Sequence, residues 1–204
     1  AGRARRVYSD GAKPDIALSS APRFDLMHRR DYATMALQFS RGCPHDCEFC
    51  DIVAMFGRTP RTKAPDQFLD EMQSLYDWGW RGSLFVVDDN FIGNRKAVKA
   101  LLPAVARWQK ARNYPFGLFT EATVSLAEDE GLMDQMVDAG FNMVFLGIET
   151  PDCATLAAMG KSHNLKSDLL QSVRKIQGKG MEVSGGFIVG FDGDTEDIFD
   201  HQVA

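Results

Sequence analysis

The chain lacks any run approaching the roughly 18 to 20 consecutive apolar residues of a membrane-spanning helix, and its longest apolar stretches, 84–87 and 143–146, are strand-sized. Basic charge is also in short supply. Twenty-three Lys and Arg stand against 28 Asp and Glu, a net charge of -5, with no basic stripe to track a phosphate backbone. The basic opening Ala1-Gly2-Arg3-Ala4-Arg5-Arg6 runs into Ser9-Asp10-Gly11 rather than the apolar core of a secretory signal. These absences predict a chain with no membrane span, no nucleic-acid partner and a cytoplasmic location. An initiator Met is missing, and residues 197–204 only begin an amphipathic pattern, so the 204 residues read as one domain cut from a longer protein.

What is present is ordinary globular composition, 45% apolar and 25% charged. Residues 1–31 are polar, with Pro14, Pro22 and Ser19-Ser20 and no sustained period, which predicts a linker or lead-in before a core at 32–204. From there, strand-sized apolar runs at 33–39, 84–87, 116–120, 143–148 and 183–189 alternate with helical spacings. Asn94 is placed to cap one helix, which Pro103 should kink or break. Ser125-Leu126-Ala127-Glu128 reads as a capping box opening the next. Thr195 is placed to cap a last one. Strict alternation with near-continuously apolar strands predicts an α/β fold with a parallel sheet covered by helices, whose ligands gather at the C-terminal strand ends.

Chemistry concentrates at the first of those ends. Cys43, Cys47 and Cys50 lie within Arg41-Gly42-Cys43-Pro44-His45-Asp46-Cys47-Glu48-Phe49-Cys50. Thiolates so spaced on a loop can converge on a soft metal centre. A zinc knot would want a fourth closed ligand, usually in two separated pairs, and crowded thiols in a reducing compartment argue against disulfides. Three thiolates suit an iron–sulfur cluster that keeps one iron open. Cys153, far along the chain, reads as a small buried hydrophobe or as the fourth ligand of a closed electron carrier. Arg58, Arg61 and Lys63 read as solvated charge or as partners of a ligand carboxylate. His28, His45, His163 and His201 show no partner pattern.

The run Cys43-x-x-x-Cys47-x-x-Cys50, with Phe49 before the third cysteine, resembles the signature loop of the radical S-adenosylmethionine (SAM) enzymes. That resemblance implies a partial (β/α)6 TIM-like barrel, here truncated after about five βα units. It also implies a 4Fe-4S cluster on the three cysteines, with SAM chelated to the fourth iron and cleaved reductively to a 5′-deoxyadenosyl radical. Asp88-Asp89-Asn90 stands where the family commonly has Gly-Gly-Glu contacting the methionine amino group. Gly147-Ile148-Glu149 resembles the ribose-contacting strand end, a capping carboxylate before Pro151 being the plainer reading of Glu149. Gly186, Ile188 and Gly190 match the strand that flanks adenine, and helix packing is an equally good cause for the neighbouring Gly185. Glu121 ends the third strand and reads as a cofactor contact or a simple cap.

The lead-in Ala21-Pro22-Arg23-Phe24-Asp25-Leu26 and the run from Cys50 to Arg58 are similar to members that carry an N-terminal cobalamin-binding domain, hopanoid-methylase-like ones included. By that resemblance the whole protein is a cobalamin-dependent methyltransferase acting on an unactivated carbon of a small-molecule or lipid substrate. Its reductant would be a flavodoxin or ferredoxin. A porphyrin cyclase, a methylthiotransferase and a non-catalytic electron-transfer module are the alternatives.

Overall fold

The computed structural model describes residue 7 and residues 13–203; the basic opening at 1–6, residues 8–12 and residue 204 lie outside the described residues. In chain order these form β1 (Thr34–Leu37), β2 (Ser40–Arg41), α1 (Ile52–Phe56), β3 (Arg61–Thr62), α2 (Pro65–Asp77), β4 (Gly82–Val86), α3 (Arg95–Lys110), β5 (Phe116–Ala122), α4 (Glu130–Asp138), β6 (Phe141–Glu149), α5 (Cys153–Ala158), α6 (Leu169–Gly178), β7 (Glu182–Phe187) and α7 (Ile198–Val203). Five strands make one sheet in the order β1-β4-β5-β6-β7, every pair parallel, while β2 and β3 form a separate antiparallel ladder. The expected α/β class and five strand–helix units are therefore present, and among the described residues β1 and β7 do not pair, so the sheet stays open as in a partial barrel.

One face of this sheet makes the core. Leu84, Val86, Leu118, Val144 and Leu146 pack against Met72 and Leu75 of α2, Leu101 and Leu102 of α3, and Leu132, Met133 and Met136 of α4, all essentially solvent-free. The other face differs from the expected continuous burial. β5 alternates buried and half-buried residues along its whole length, and Phe119 on its second face stacks on Phe85 at 4.8 Å between ring centroids. By the two-residue period of strands, that second face carries Glu121 on β5 and Phe145 and Gly147 on β6. Strand parity thus decides which strand-end side chains can meet a ligand.

The described part of the lead-in, residues 13–31, packs against the domain: Ile16 and Phe24 are buried, Lys13 donates to the carbonyls of Ala54 (3.1 Å) and Met55 (2.8 Å), and Gln67 reaches the Ser19 carbonyl at 3.1 Å. Two local expectations are corrected. Helix α3 runs unbroken through Pro103, because Pro103 and Lys99 are exposed and the Lys99 carbonyl that the proline leaves free can meet water. Residues 124–128 make a 3-10 turn, and α4 is capped by Asp129, which accepts from the Leu132 N–H at 3.1 Å and pairs with Lys99 at 2.7 Å. Ser125 is engaged elsewhere, by Arg95 and Thr123, so its hydroxyl caps nothing. No helix among the described residues is long and apolar enough to cross a membrane.

Candidate functional site

The cysteine loop leaves β2 through Gly42, whose φ of +106° suits glycine and whose place a Cβ would crowd, 2.9 Å from the Gly57 carbonyl oxygen. Its backbone is then tied down at several points. The Cys43 N–H donates to Gly57 (3.2 Å), the Cys50 N–H to Cys47 (3.1 Å) and the Glu48 N–H to Met159 (2.9 Å). Gly160, at φ +74°, lets the chain after α5 lie against the loop, since a Cβ there would sit 2.8 Å from the Asp46 carbonyl oxygen. All three thiols are free and half-buried. Burial pushes the thiols of Cys43 and Cys47 up, and their sulfur neighbours push the same way.

The thiols line a cavity of about 170 Å³ at the C-terminal strand ends, together with Phe49, Asp89, Asn90, Glu121 and Glu149. Eight of the residues expected from the sequence are thereby brought together. Two of the acids form no ion pair among the described residues: burial pushes the Asp89 carboxyl up, against a weaker pull from Arg41, and burial with the nearby Asp89 charge pushes Glu121 up. Asp89 Oδ2 is buried without a partner. Glu149 sits at φ +68°, beside an irregularity in the β6–β7 register, and its Oε1 is bonded by the buried Lys161 ammonium. Gly147 makes room for that pair, because a Cβ there would fall 2.8 Å from Lys161 Nζ. Lys161 also lies over the Phe49 ring, 5.5 Å from its centroid.

Four expected residues are not in the cavity. Asp88 is fully buried behind it, its two carboxylate oxygens accepting the N–H groups of Phe39 and Ser40 at 2.7 Å each, so it holds the chain between β1 and β2 rather than a ligand. Burial pushes this carboxyl up to about 7, against the pull of its hydrogen bonds. Asp88→Ala would orphan two buried N–H donors and should destabilise the protein by about 3 kcal/mol, read from urea unfolding, with Asp88→Asn costing less because one acceptor survives. Gly186, Ile188 and Gly190 lie at and beyond the end of β7, outside the cavity lining. The closest neighbour of a Cβ at Gly186 would be the Phe145 ring, at 2.7 Å, so an adjacent-strand aromatic accounts for that glycine.

Lys161 and His163 are two of the cavity residues with no role read from the sequence, along with His45, Ala122, Thr123 and Phe145. Both follow α5 on a stretch with no strand or helix period, and only the tertiary contact with the cysteine loop reveals them. His163 stacks on His45, ring centroids 3.8 Å apart, and Asn164 anchors the same stretch through the Gly147 and Ile148 carbonyls. Burial, followed by the charges of His45, Lys161 and Lys166, takes His163 down to about 3. A histidine kept neutral when folded adds stability above its unfolded pKa that drains away as pH falls toward 3, by at most about 1.4 kcal/mol per unit. Denaturation midpoints should therefore drop between pH 7 and pH 5, and His163→Phe should flatten that slope.

Among the remaining basic candidates, Arg58 pairs with Asp46 on the exposed loop surface at 2.9 Å, and Arg61 donates to the carbonyls of Pro14 and Phe56. Lys63 is not solvated: it is buried in an ion pair with Glu71 at 2.6 Å. Cys153 is exposed and lies outside the cavity. Among the described residues the cavity offers three thiols without a fourth, no group of three or more His, Cys, Asp and Glu is placed to hold a single metal ion, and His45 is stacked on His163. Such a set fits an iron–sulfur cluster that leaves one iron to an outside ligand.

The family model described as the radical SAM superfamily matches residues 37–201. An uncharacterized methyltransferase of Synechocystis sp. is 50% identical over 191 residues, covering 94% of this chain and 36% of the relative. The hopanoid C-2 methylase of Rhodopseudomonas palustris is 42% identical over 189 residues, covering 93% and 36%. This chain therefore spans about a third of the length of these curated relatives. Among solved structures, the radical SAM methyltransferase TsrM from Kitasatospora setae, with tryptophan and a SAM analogue bound, superposes with a TM-score of 0.71 at 20% identity, over 83% of this chain and 32% of that one.

Proposed function

This chain belongs to the radical SAM superfamily, and from that premise we propose that Cys43, Cys47 and Cys50 hold a 4Fe-4S cluster whose open iron takes SAM. The observation that carries this reading is one cavity in which, among the described residues, three thiols without a fourth line the same space as two acids that form no ion pair and a buried lysine. When bound and reduced, the cluster supplies the electron that cleaves the sulfonium of SAM to methionine and a 5′-deoxyadenosyl radical. Asp89, pushed up by burial, and Glu121, pushed up by burial and by the Asp89 charge, gain most from a cation and would take the amino and sulfonium side of SAM. Lys161 would take its carboxylate. Glu149 makes no hydrogen bond through Oε2 among those described, which leaves that oxygen for ribose hydroxyls. Phe49 closes the cavity with its exposed ring.

The full-length protein, in this reading, is a cobalamin-dependent methyltransferase acting on an unactivated carbon. Identity of 42% to a hopanoid methylase and 50% to a second methyltransferase supports it, as does the likeness of this fold to a structure holding cobalamin and a [4Fe-4S] cluster. Three free thiols beside one another suit a reducing compartment, hence a cytoplasmic enzyme with a flavodoxin or ferredoxin as reductant. The test is anaerobic incubation of the full-length protein, reconstituted with iron, sulfide and cobalamin, with SAM and dithionite. Formation of 5′-deoxyadenosine and methionine supports the radical core, and S-adenosylhomocysteine supports methyl transfer. A loaded cluster that yields neither product contradicts the proposal.

A further inference from the structure

Asp88 and Asn90 both hold the chain that leads into the cysteine loop. Asp88 holds the N–H groups of Phe39 and Ser40, Asp89 lines the cavity beside the cysteines, and Asn90 directs its Nδ2 to Cys43 Sγ at 3.9 Å. Asn90 is 3% exposed, and Nδ2 is packed from behind by Gly93, where a Cβ would come within 3.7 Å. Its Oδ1 is buried without a partner, so the Cys43 sulfur is the one hydrogen-bond partner described for this side chain. A buried amide spends its only bond on one particular sulfur.

We propose that Asn90 is a positioning residue for the cluster: its Nδ2–H donates to the Cys43 sulfur and raises the cluster's reduction potential. The inference rests on the cluster reading above. Reduction adds negative charge that is shared by the ligand sulfurs, so an N–H donor stabilises the reduced state more than the oxidised one. Removing the donor must then lower the potential and make the first electron harder to deliver. The bond also accounts for why this strand end departs from Gly-Gly-Glu, with side chains turned to the loop rather than only to a ligand.

The test uses full-length protein reconstituted anaerobically as wild type, Asn90→Ala and Asn90→Asp, with iron and sulfide counted and the potential titrated by EPR. Both variants should load the cluster and titrate at a lower potential, Asn90→Asp at least as low as Asn90→Ala because its carboxylate matches the amide in shape but accepts only. Fully loaded variants with unchanged potentials overturn the inference. Should both variants fail to load, wild-type protein labelled with 15N-asparagine decides: nitrogen coupling to the reduced cluster by electron–nuclear double resonance supports the bond, and its absence overturns it. Failure of wild type itself to assemble a cluster tells against the cluster reading, an outcome distinct from these.

Discussion

Alanine at Cys43, Cys47 or Cys50 is expected to bring bound iron from about four per chain to background after anaerobic reconstitution, with loss of the reduced EPR signal and of SAM cleavage. Each thiol lines the same cavity, and no neighbouring Cys stands ready to replace one that is lost. Cys153→Ala should leave iron content, EPR and product formation at wild-type levels, because that thiol is exposed and outside the cavity. The contrast separates the two chemical classes left open by the sequence. A closed electron carrier requires a fourth protein thiolate and predicts that Cys153→Ala damages the cluster, whereas an enzyme with an open iron predicts no effect.

The second large effect concerns Lys161. Lys161 is 6% exposed and Glu149 7%, so truncating the lysine leaves a carboxylate buried in a strained part of β6 without its counter-charge. Breaking such a pair from one side costs about 3–5 kcal/mol. In a domain of this size that is a fall of roughly 10 °C in Tm. Lys161→Met should show this loss by calorimetry, together with weakened SAM binding, since among the described residues the same ammonium is the one Lys or Arg group lining the cavity. Lys161→Met combined with Glu149→Gln should recover much of the Tm but not the affinity. Recovery of both would mean the lysine serves only its buried partner.

How much of this site was legible beforehand follows from the kind of interaction each residue makes. The cysteines announce themselves by spacing, and Glu121 and Glu149 by standing at strand ends, because a parallel sheet delivers all its C-terminal ends to one edge. The run Asp88-Asp89-Asn90 could be placed at such an end but not divided. Which of three consecutive polar side chains turns behind the sheet, toward the loop or into the cavity depends on the pleat and on what the loop offers in return. Asp88 was drawn away by two unpaired backbone N–H groups, a demand no local pattern displays.

Lys161 and His163 were illegible for a different reason. They sit on an irregular stretch whose contacts with the cysteine loop, more than a hundred residues earlier, exist only once α5 is folded. The lone local hint was Gly160, which gives the chain its left-handed turn against Asp46. Pro103 and Ser125 misled in the opposite sense. Each carries a strong local signal that tertiary surroundings overrode, exposure to water in the first case and a competing partner, Arg95, in the second.

The central claim is that one iron of a three-cysteine cluster is open to SAM in this cavity. EPR of the reduced, reconstituted full-length protein, recorded with and without SAM, tests it most directly. The account predicts that SAM shifts the g-values of the cluster and that the shift is diminished in Lys161→Met. A reduced cluster of full iron content whose spectrum is identical with and without SAM would contradict it.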